Sequence, residues 1–272
     1  MARPASSSAS GTAVRGTETR RINRSLPEET PVAIVCNGTT QAVMMASPED
    51  IADFAHGFAW TEGYIRGLGD IETFEIVPHD LGIEARFWLV PDRARVLAER
   101  RRTMAGPVGC GLCGIDSLAQ AVRSVPGVTG DLTLTRDEVG HAADALRAHQ
   151  TLHDLTRGVH AAGFVHPGAG VALAREDVGR HNALDKLCGA LLRQGIDPAS
   201  GAVMMTSRLS VELVQKCAVA GIPVLIAVSA PTGAALRLAD QARITLVAFA
   251  RGDGFDVYTH PERVMDGAIR VA

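Results

Sequence analysis

Residues 202–249 read AVMMTSRLSVELVQKCAVAGIPVLIAVSAPTGAALRLADQARITLVAF, and this stretch decides the fold. Apolar runs at 202–206, 222–228 and 244–249 have strand length. They alternate with 210–219 and 232–241, where apolar residues recur at helical spacing, and Gly221 stops the first of these helices. Continuous Val/Ile/Leu strands alternating with amphipathic helices indicate parallel βαβ units, with helices covering the sheet. The same beat extends upstream: strands at 159–165 and 171–174, then a helix at 180–194 stopped by Gly195. Before them, Thr135-Arg136-Asp137-Glu138 forms a capping box for a helix to about His149, and Asp116 or Ser117 is placed to cap a helix over 118–125.

Nearer the N-terminus, residues 31–36 and 41–45 read as two strands joined at Asn37-Gly38, a hairpin signal. Ser47-Pro48-Glu49-Asp50 then opens a helix, with Ser47 as N-cap and Ile51, Phe54, Ala55 and Phe58 on one face. Residues 84–90 form another strand. Residues 1–28, rich in Ser, Gly, Ala, Thr and Arg, read as a flexible tail. The expected division is therefore a tail over 1–28, an α+β region over 29–102, a mobile Gly-rich loop over 103–116 and an α/β domain over 117–272.

Bulk properties exclude several function classes. With 272 residues, 46% of them hydrophobic, the chain has enough apolar surface for a sizeable core. A formal net charge of −3 argues against a protein built to grip nucleic acid. No apolar stretch has membrane-spanning length and the N-terminus has no signal-peptide core, so the sequence reads as cytoplasmic with reduced thiols. Five cysteines in a chain this long do not form a disulfide framework, and Cys36, Cys188 and Cys217 stand alone in apolar surroundings.

Open α/β sheets bind ligands beyond the carboxyl ends of their strands, near helix N-termini. Three successive strands end in polar loops: Ser207-Arg208-Leu209-Ser210, Ser229-Ala230-Pro231-Thr232 and Arg251-Gly252-Asp253-Gly254. Capping and turn chemistry explains any one of them; three at one sheet edge point to a phosphate-bearing ligand. Arg180 and His181, in the polar run before the 180–194 helix, are candidate contacts, although His181 beside Arg180 also suits a hydrogen-bonded structural role.

Gly109-Cys110-Gly111-Leu112-Cys113-Gly114 carries the chemistry. A zinc or iron–sulfur site needs further paired ligands, which the other cysteines do not supply. A thioredoxin-type dithiol is expected after an early strand, not mid-chain. Zinc deaminase chemistry needs a preceding His-x-Glu, whereas His260-Pro261-Glu262 follows the pair. A nucleophilic thiolate that accepts and hands on sulfur fits the glycines and the neighbouring Arg100, Arg101 and Arg102. Spacing alone leaves sulfur carriage and dithiol redox open.

The cysteine motif, together with REDVGRHNALDK at 175–186, SRLSVELVQK at 207–216, GIPVL at 221–225, SAPT at 229–232, ITLVAFARG at 244–252 and VYT at 257–259, resembles the FdhD formate dehydrogenase accessory sulfurtransferases. ETPVAI at 29–34, Asn37-Gly38, His56-Gly57-Phe58 and Glu62-Gly63 extend the likeness over about residues 28–260. The resemblance implies an α/β fold with a cytidine-deaminase-like three-layer α/β/α core and a homodimer without intrinsic structural metal. It implies transfer of persulfide sulfur from a cysteine desulfurase to the molybdenum bis(guanine dinucleotide) cofactor, bound as substrate, for formate dehydrogenase. Carried over by motif, Cys110 bears the persulfide and Cys113 assists, while Phe249, Ala250, Arg251, Gly252, Asp253 and Gly254 form the cofactor-binding segment. The competing readings are a dithiol–disulfide oxidoreductase and a non-catalytic cofactor-binding chaperone.

Overall fold

A computed structural model of the chain describes residues 4–104, 125–252 and 254–266. Where a flexible tail is expected over 1–28, the chain instead forms an antiparallel hairpin, β1 (Ser6–Arg15) and β2 (Glu18–Pro27), in unbroken register from Ser6 opposite Pro27 to Arg15 opposite Glu18. Gly16 occupies the first central position of its two-residue turn at φ 60°, a conformation that matches the twist of the strands. Thr12, Val14, Thr19 and Ile22 supply β-branched side chains, a pattern that the intervening Ser, Gly and Ala hide from a reading by composition.

A four-stranded sheet follows, from β3 (Thr30–Cys36), β4 (Thr39–Ala46), β5 (Ile71–His79) and β6 (Gly82–Leu89), in the order β4-β3-β6-β5. Asn37 and Gly38 turn β3 into β4 as expected, with φ of 49° and 75°. Helix α1 (Ile51–Thr61) buries Ile51, Phe54, Ala55 and Phe58 against Val32, Ile34, Phe87 and Leu89. Full burial of a side chain of this size stabilises by about 1.5–3 kcal/mol. The start of α1 differs from expectation, because Asp50 in the left-handed conformation takes the N-cap position without a side-chain hydrogen bond. Ser47 is used elsewhere: its N–H donates to Asp177 Oδ2 at 2.9 Å and its Oγ accepts from Val178 N–H at 3.1 Å. Helix α2 (Pro91–Met104) leads to residues 105–124, which lie outside the described residues. Most of the loop expected over 103–116 and of the helix expected over 118–125 falls there.

The capping box at Thr135 and Glu138 is present, but its helix is interrupted. Gly140, a weak helix former, ends α3 (Arg136–Gly140); α4 (Ala142–Arg147) and α5 (Thr151–Thr156) follow as separate pieces. The larger sheet comprises β8 (His160–His166), β9 (Gly170–Asp177), β10 (Ala202–Met205), β11 (Val224–Ala227), β12 (Thr245–Arg251) and β13 (Gly254–Val257), in the order β13-β12-β11-β10-β8-β9. The short β7 (Leu134–Thr135) pairs with β14 (Val264–Met265) beside it. Within the larger sheet β10, β11 and β12 pair in parallel, whereas β8 is antiparallel to both β9 and β10 and β13 is antiparallel to β12. The parallel reading of the segment from 159 onward is thus corrected to a mixed sheet. The turn between β8 and β9 is far shorter than the dozen residues a parallel crossover needs.

Alternate residues of each central strand face opposite layers. Val203, Met205, Leu225, Ala227, Leu246 and Ala248 meet α6 (Arg180–Gln194), α7 (Val211–Ala220) and α8 (Gly233–Gln241). Ala202, Met204, Val224, Ile226 and Val247 meet Val139, Ala142 and Leu146 of α3 and α4. The crossovers from β10 through β12 place α7 and α8 on one face, giving three layers. No helix among the described residues is long and apolar enough to cross a membrane.

The two sheets are joined where α1 crosses α6. A Cβ added to Gly57 would lie 1.7 Å from the Asp185 carbonyl oxygen, and one added to Gly189 would lie 1.8 Å from that of Asp53. Both obstacles are helix backbone, so neither can swing aside. Gly189→Ala is expected to lower stability in urea unfolding by more than about 3 kcal/mol, or to prevent folding. Gly67→Ala, at an extended position with open space around it, should stay within about 0.5 kcal/mol of wild type.

Candidate functional site

Strand direction creates the site. β9, β10, β11 and β12 run the same way, with β8 opposed among them, so their carboxyl ends share one edge of the sheet. Helices α6, α7 and α8 each begin just after one of these ends, and their free N–H groups and positive dipole ends therefore gather at that edge.

The polar run between β9 and α6 divides into two sets. Asp177 is fully buried: Oδ1 accepts from Gly179 N–H at 2.8 Å and Asn182 Nδ2 at 3.0 Å, and Oδ2 lies 2.8 Å from Lys186 Nζ. Lys186 also donates to the Ser47 and Glu176 carbonyls, and Asn182 to that of Met45. Glu176 accepts from the N–H groups of Leu152 and His153, at 2.7 and 2.8 Å. These residues lock the N-terminal unit against the larger sheet.

Arg180 and His181 form the other set. Arg180 Nε is buried without a hydrogen-bond partner. His181 Nε2 lies 3.4 Å from Ser210 Oγ and 3.9 Å from Glu212 Oε2. Burial, then the charges of Arg180 and Lys216, push His181 down to about 4, so its imidazole is neutral near pH 7. His160, which opens β8 at the same edge, is lowered by burial and by Arg180. Sequence reading missed His160, Ser210 and Glu212 as neighbours of this pair; only the antiparallel placement of β8 beside β10 brings His160 there.

The loop residues occupy the same edge in different roles. Ser207 is buried and its hydroxyl donates to the Arg208 carbonyl at 3.1 Å, while Arg208 is exposed. Leu209 and Pro231 form a parallel bridge that ties the first two loops together, with Thr232 N–H donating to the Leu209 carbonyl at 2.9 Å. Thr232 Oγ1 accepts from Ala235 N–H and caps α8. The Ser229 carbonyl accepts from Phe249 N–H at 3.5 Å. Phe249 has φ 56° and is 45% exposed, a strained placement that turns its ring outward beside these loops. Ala250 is buried in the core, whereas Arg251, Gly252 and Gly254 are exposed on the β12–β13 hairpin. Cys110, Cys113 and Asp253 lie outside the described residues.

The other three cysteines are buried. Burial pushes Cys36 up to about 12 and raises Cys188 and Cys217 as well, which suppresses the reactive thiolate in all three.

Residues 27–265 match the model of the FdhD/NarQ family. The chain is 51% identical to the sulfur carrier protein FdhD of Agrobacterium fabrum, across 89% of this chain and 90% of that one. It is 49% identical to the protein of the same name from Brucella abortus, across 90% and 91% of the two chains. A solved structure described as a formate dehydrogenase accessory protein, from Desulfotalea psychrophila, superposes with a TM-score of 0.75 at 26% identity. That match covers 96% of this chain and all of the other.

Two stability measurements test this division of the polar run. Lys186→Met leaves Asp177 buried without its cation and is expected to cost about 3–5 kcal/mol. His181 titrates in the folded protein below its ordinary value, so the unfolded chain binds the extra proton between about pH 6.5 and 4. The stability linked to neutral His181 is complete above pH 6.5 and declines as pH falls toward 4. Between pH 7 and 5 wild type should lose about 1–2 kcal/mol more than His181→Gln in urea titrations.

Proposed function

The chain belongs to the FdhD/NarQ family, and from that premise we propose that it is an accessory sulfurtransferase. It takes persulfide sulfur from a cysteine desulfurase and passes it to the molybdenum bis(guanine dinucleotide) cofactor, its substrate, for delivery to formate dehydrogenase. Cysteine burial carries this reading. With Cys36, Cys188 and Cys217 enclosed and their thiols raised, sulfur carriage falls to Cys110 and Cys113 in the Gly-rich segment.

The Cys110 thiolate attacks the outer sulfur of the donor's persulfide. A new S–S bond forms as the donor's breaks, and the donor departs as thiolate, so this step needs no external oxidant or reductant. Passing the outer sulfur to the molybdenum centre would return Cys110 to thiolate, the two electrons that reduce sulfane sulfur to a sulfide ligand being supplied by the reduced molybdenum of the cofactor substrate, with Cys113 assisting. The three helix N-termini at the sheet edge, with exposed Arg208 and Arg251, supply donors suited to nucleotide phosphates. Phe249 offers a ring face to a purine base.

Incubation with a cysteine desulfurase and cysteine, followed by intact-mass measurement, tests the carrier role. Wild type is expected to gain one sulfur atom and Cys110→Ala to gain none. Absence of any gain in wild type refutes sulfur carriage, and a gain lost only in Cys113→Ala exchanges the two roles. A dithiol oxidoreductase would need both thiols and would cycle through a disulfide instead. For the phosphate site, Arg251→Ala should weaken binding of GDP by about tenfold or more in calorimetry, the size expected for loss of a charged hydrogen bond.

A further inference from the structure

The β1–β2 hairpin is closed at its base, where Glu28 N–H donates to the Ala5 carbonyl at 2.9 Å; there β2 packs against α5, and Pro27 sits beside Gly158. Beyond this base, Arg15, Glu18, Arg20, Arg21 and Arg24 are exposed, as is Val14 at 66%. A two-stranded hairpin with no packed face is marginal in water, and its two open edges are templates for further pairing. An arm of this length in full register therefore needs a surface to lie on.

Its charge identifies that surface. The arm carries four arginines against one glutamate, in a chain of net charge −3, so the remainder is acidic by −6. Four strands form the edges of the two larger sheets among the described residues. β4 has no charged side chain, and β13 carries only Asp256. The carboxylates of β9 accept hydrogen bonds within the chain. β5 differs: Glu72 and Glu75 are exposed along it, with exposed Asp80 in the turn that follows. Among the described residues, Glu75 pairs only with Arg86, across 3.3 Å at the surface. At nine residues, β5 matches the ten of each arm strand.

We propose that the hairpin is an intersubunit arm: β1–β2 of one copy lies along the β5 edge of a second copy, and reciprocally, with Arg20, Arg21 and Arg24 set against Glu72 and Glu75. The arrangement is isologous, so both contacts form together and the dimer closes. It extends each four-stranded sheet by strand addition, with main-chain hydrogen bonds giving affinity and charge giving register.

Two full-length variants test it by sedimentation velocity. Arg20→Glu/Arg21→Glu/Arg24→Glu opposes an acidic arm to an acidic edge, and Glu72→Arg/Glu75→Arg opposes a basic arm to a basic edge. Each variant alone should self-associate about tenfold or more weakly than wild type at low ionic strength. Mixed in equal amounts they should recover dimer, since every arm in the mixed pair meets an edge of opposite sign. A monomeric wild type, a variant as associated as wild type, or a mixture no tighter than its components overturns the proposal.

Discussion

At the crossing of α1 and α6, Gly57 and Gly189 bring two helix backbones closer than any side chain permits, and the relation between the two halves follows from that contact. α1 is committed to the four-stranded sheet through Phe54 and Phe58, and α6 to the larger sheet through Leu184, Leu187 and Leu191. Bare backbone at the contact pushes the polar work to its rim. There Asp53 binds Arg175 at 2.7 Å and also pairs with Arg193, and Thr61 donates to Asp185 at 2.7 Å. The crossing therefore fixes where β9 ends and α6 begins, and with them Arg180 and His181.

The chain's two lysines reinforce this geometry from inside. Lys186 and Lys216 are both buried, which is unusual for a residue that normally keeps its ammonium in water. Lys216 reaches Glu62 at 2.8 Å and Asp185 at 3.0 Å and lies over the Phe58 ring. Burial alone would lower its pKa; the two carboxylates outweigh that and raise it. Lys186 lies 2.8 Å from Asp177 and donates to the Ser47 carbonyl at 3.1 Å. A buried ion pair adds little net stability compared with apolar packing, yet removing one partner is costly. Lys216 bridges α7 and Glu62 of the N-terminal unit, and the Lys186–Asp177 pair holds the Ser47 backbone from both sides, so both pairs discriminate against misdocking of the two halves.

Much of the framework was legible in the sequence because its signals are local. The apolar runs at 202–206, 222–228 and 244–249, the stops at Gly195 and Gly221, the Asn37-Gly38 turn and the Thr135 capping box all depend on neighbours within a few residues. Strand direction was less legible: periodicity shows that residues 160–166 form a strand but not that it runs against β10. The polar run at 176–182 hid its own division, since Asp177 and Asn182 are recognisable as structural only once Met45 and Ser47 are seen against them. Ser47 looked like a helix cap for the same reason, because its partners lie about 130 residues away in sequence. The arm escaped because exposed strands rich in Ser and Thr share their composition with disordered tails.

The charge of the chain and the character of its site have separate origins. A net negative protein can still present an anion-binding edge, because helix N-termini act over short distances and are independent of the summed charge. Here the favourable field comes from topology: once β9 through β12 run the same way and the helices return over one face, three N-termini must open on one side. Side chains then refine what backbone supplies. Arg180 adds charge at the first turn of α6, and burial, reinforced by its field, lowers His160 and His181, so they do not compete with it as cations for the same ligand. Neutral imidazoles beside a fixed guanidinium give the edge both a permanent charge and groups able to accept a proton. A fully cationic cluster would lack the second property.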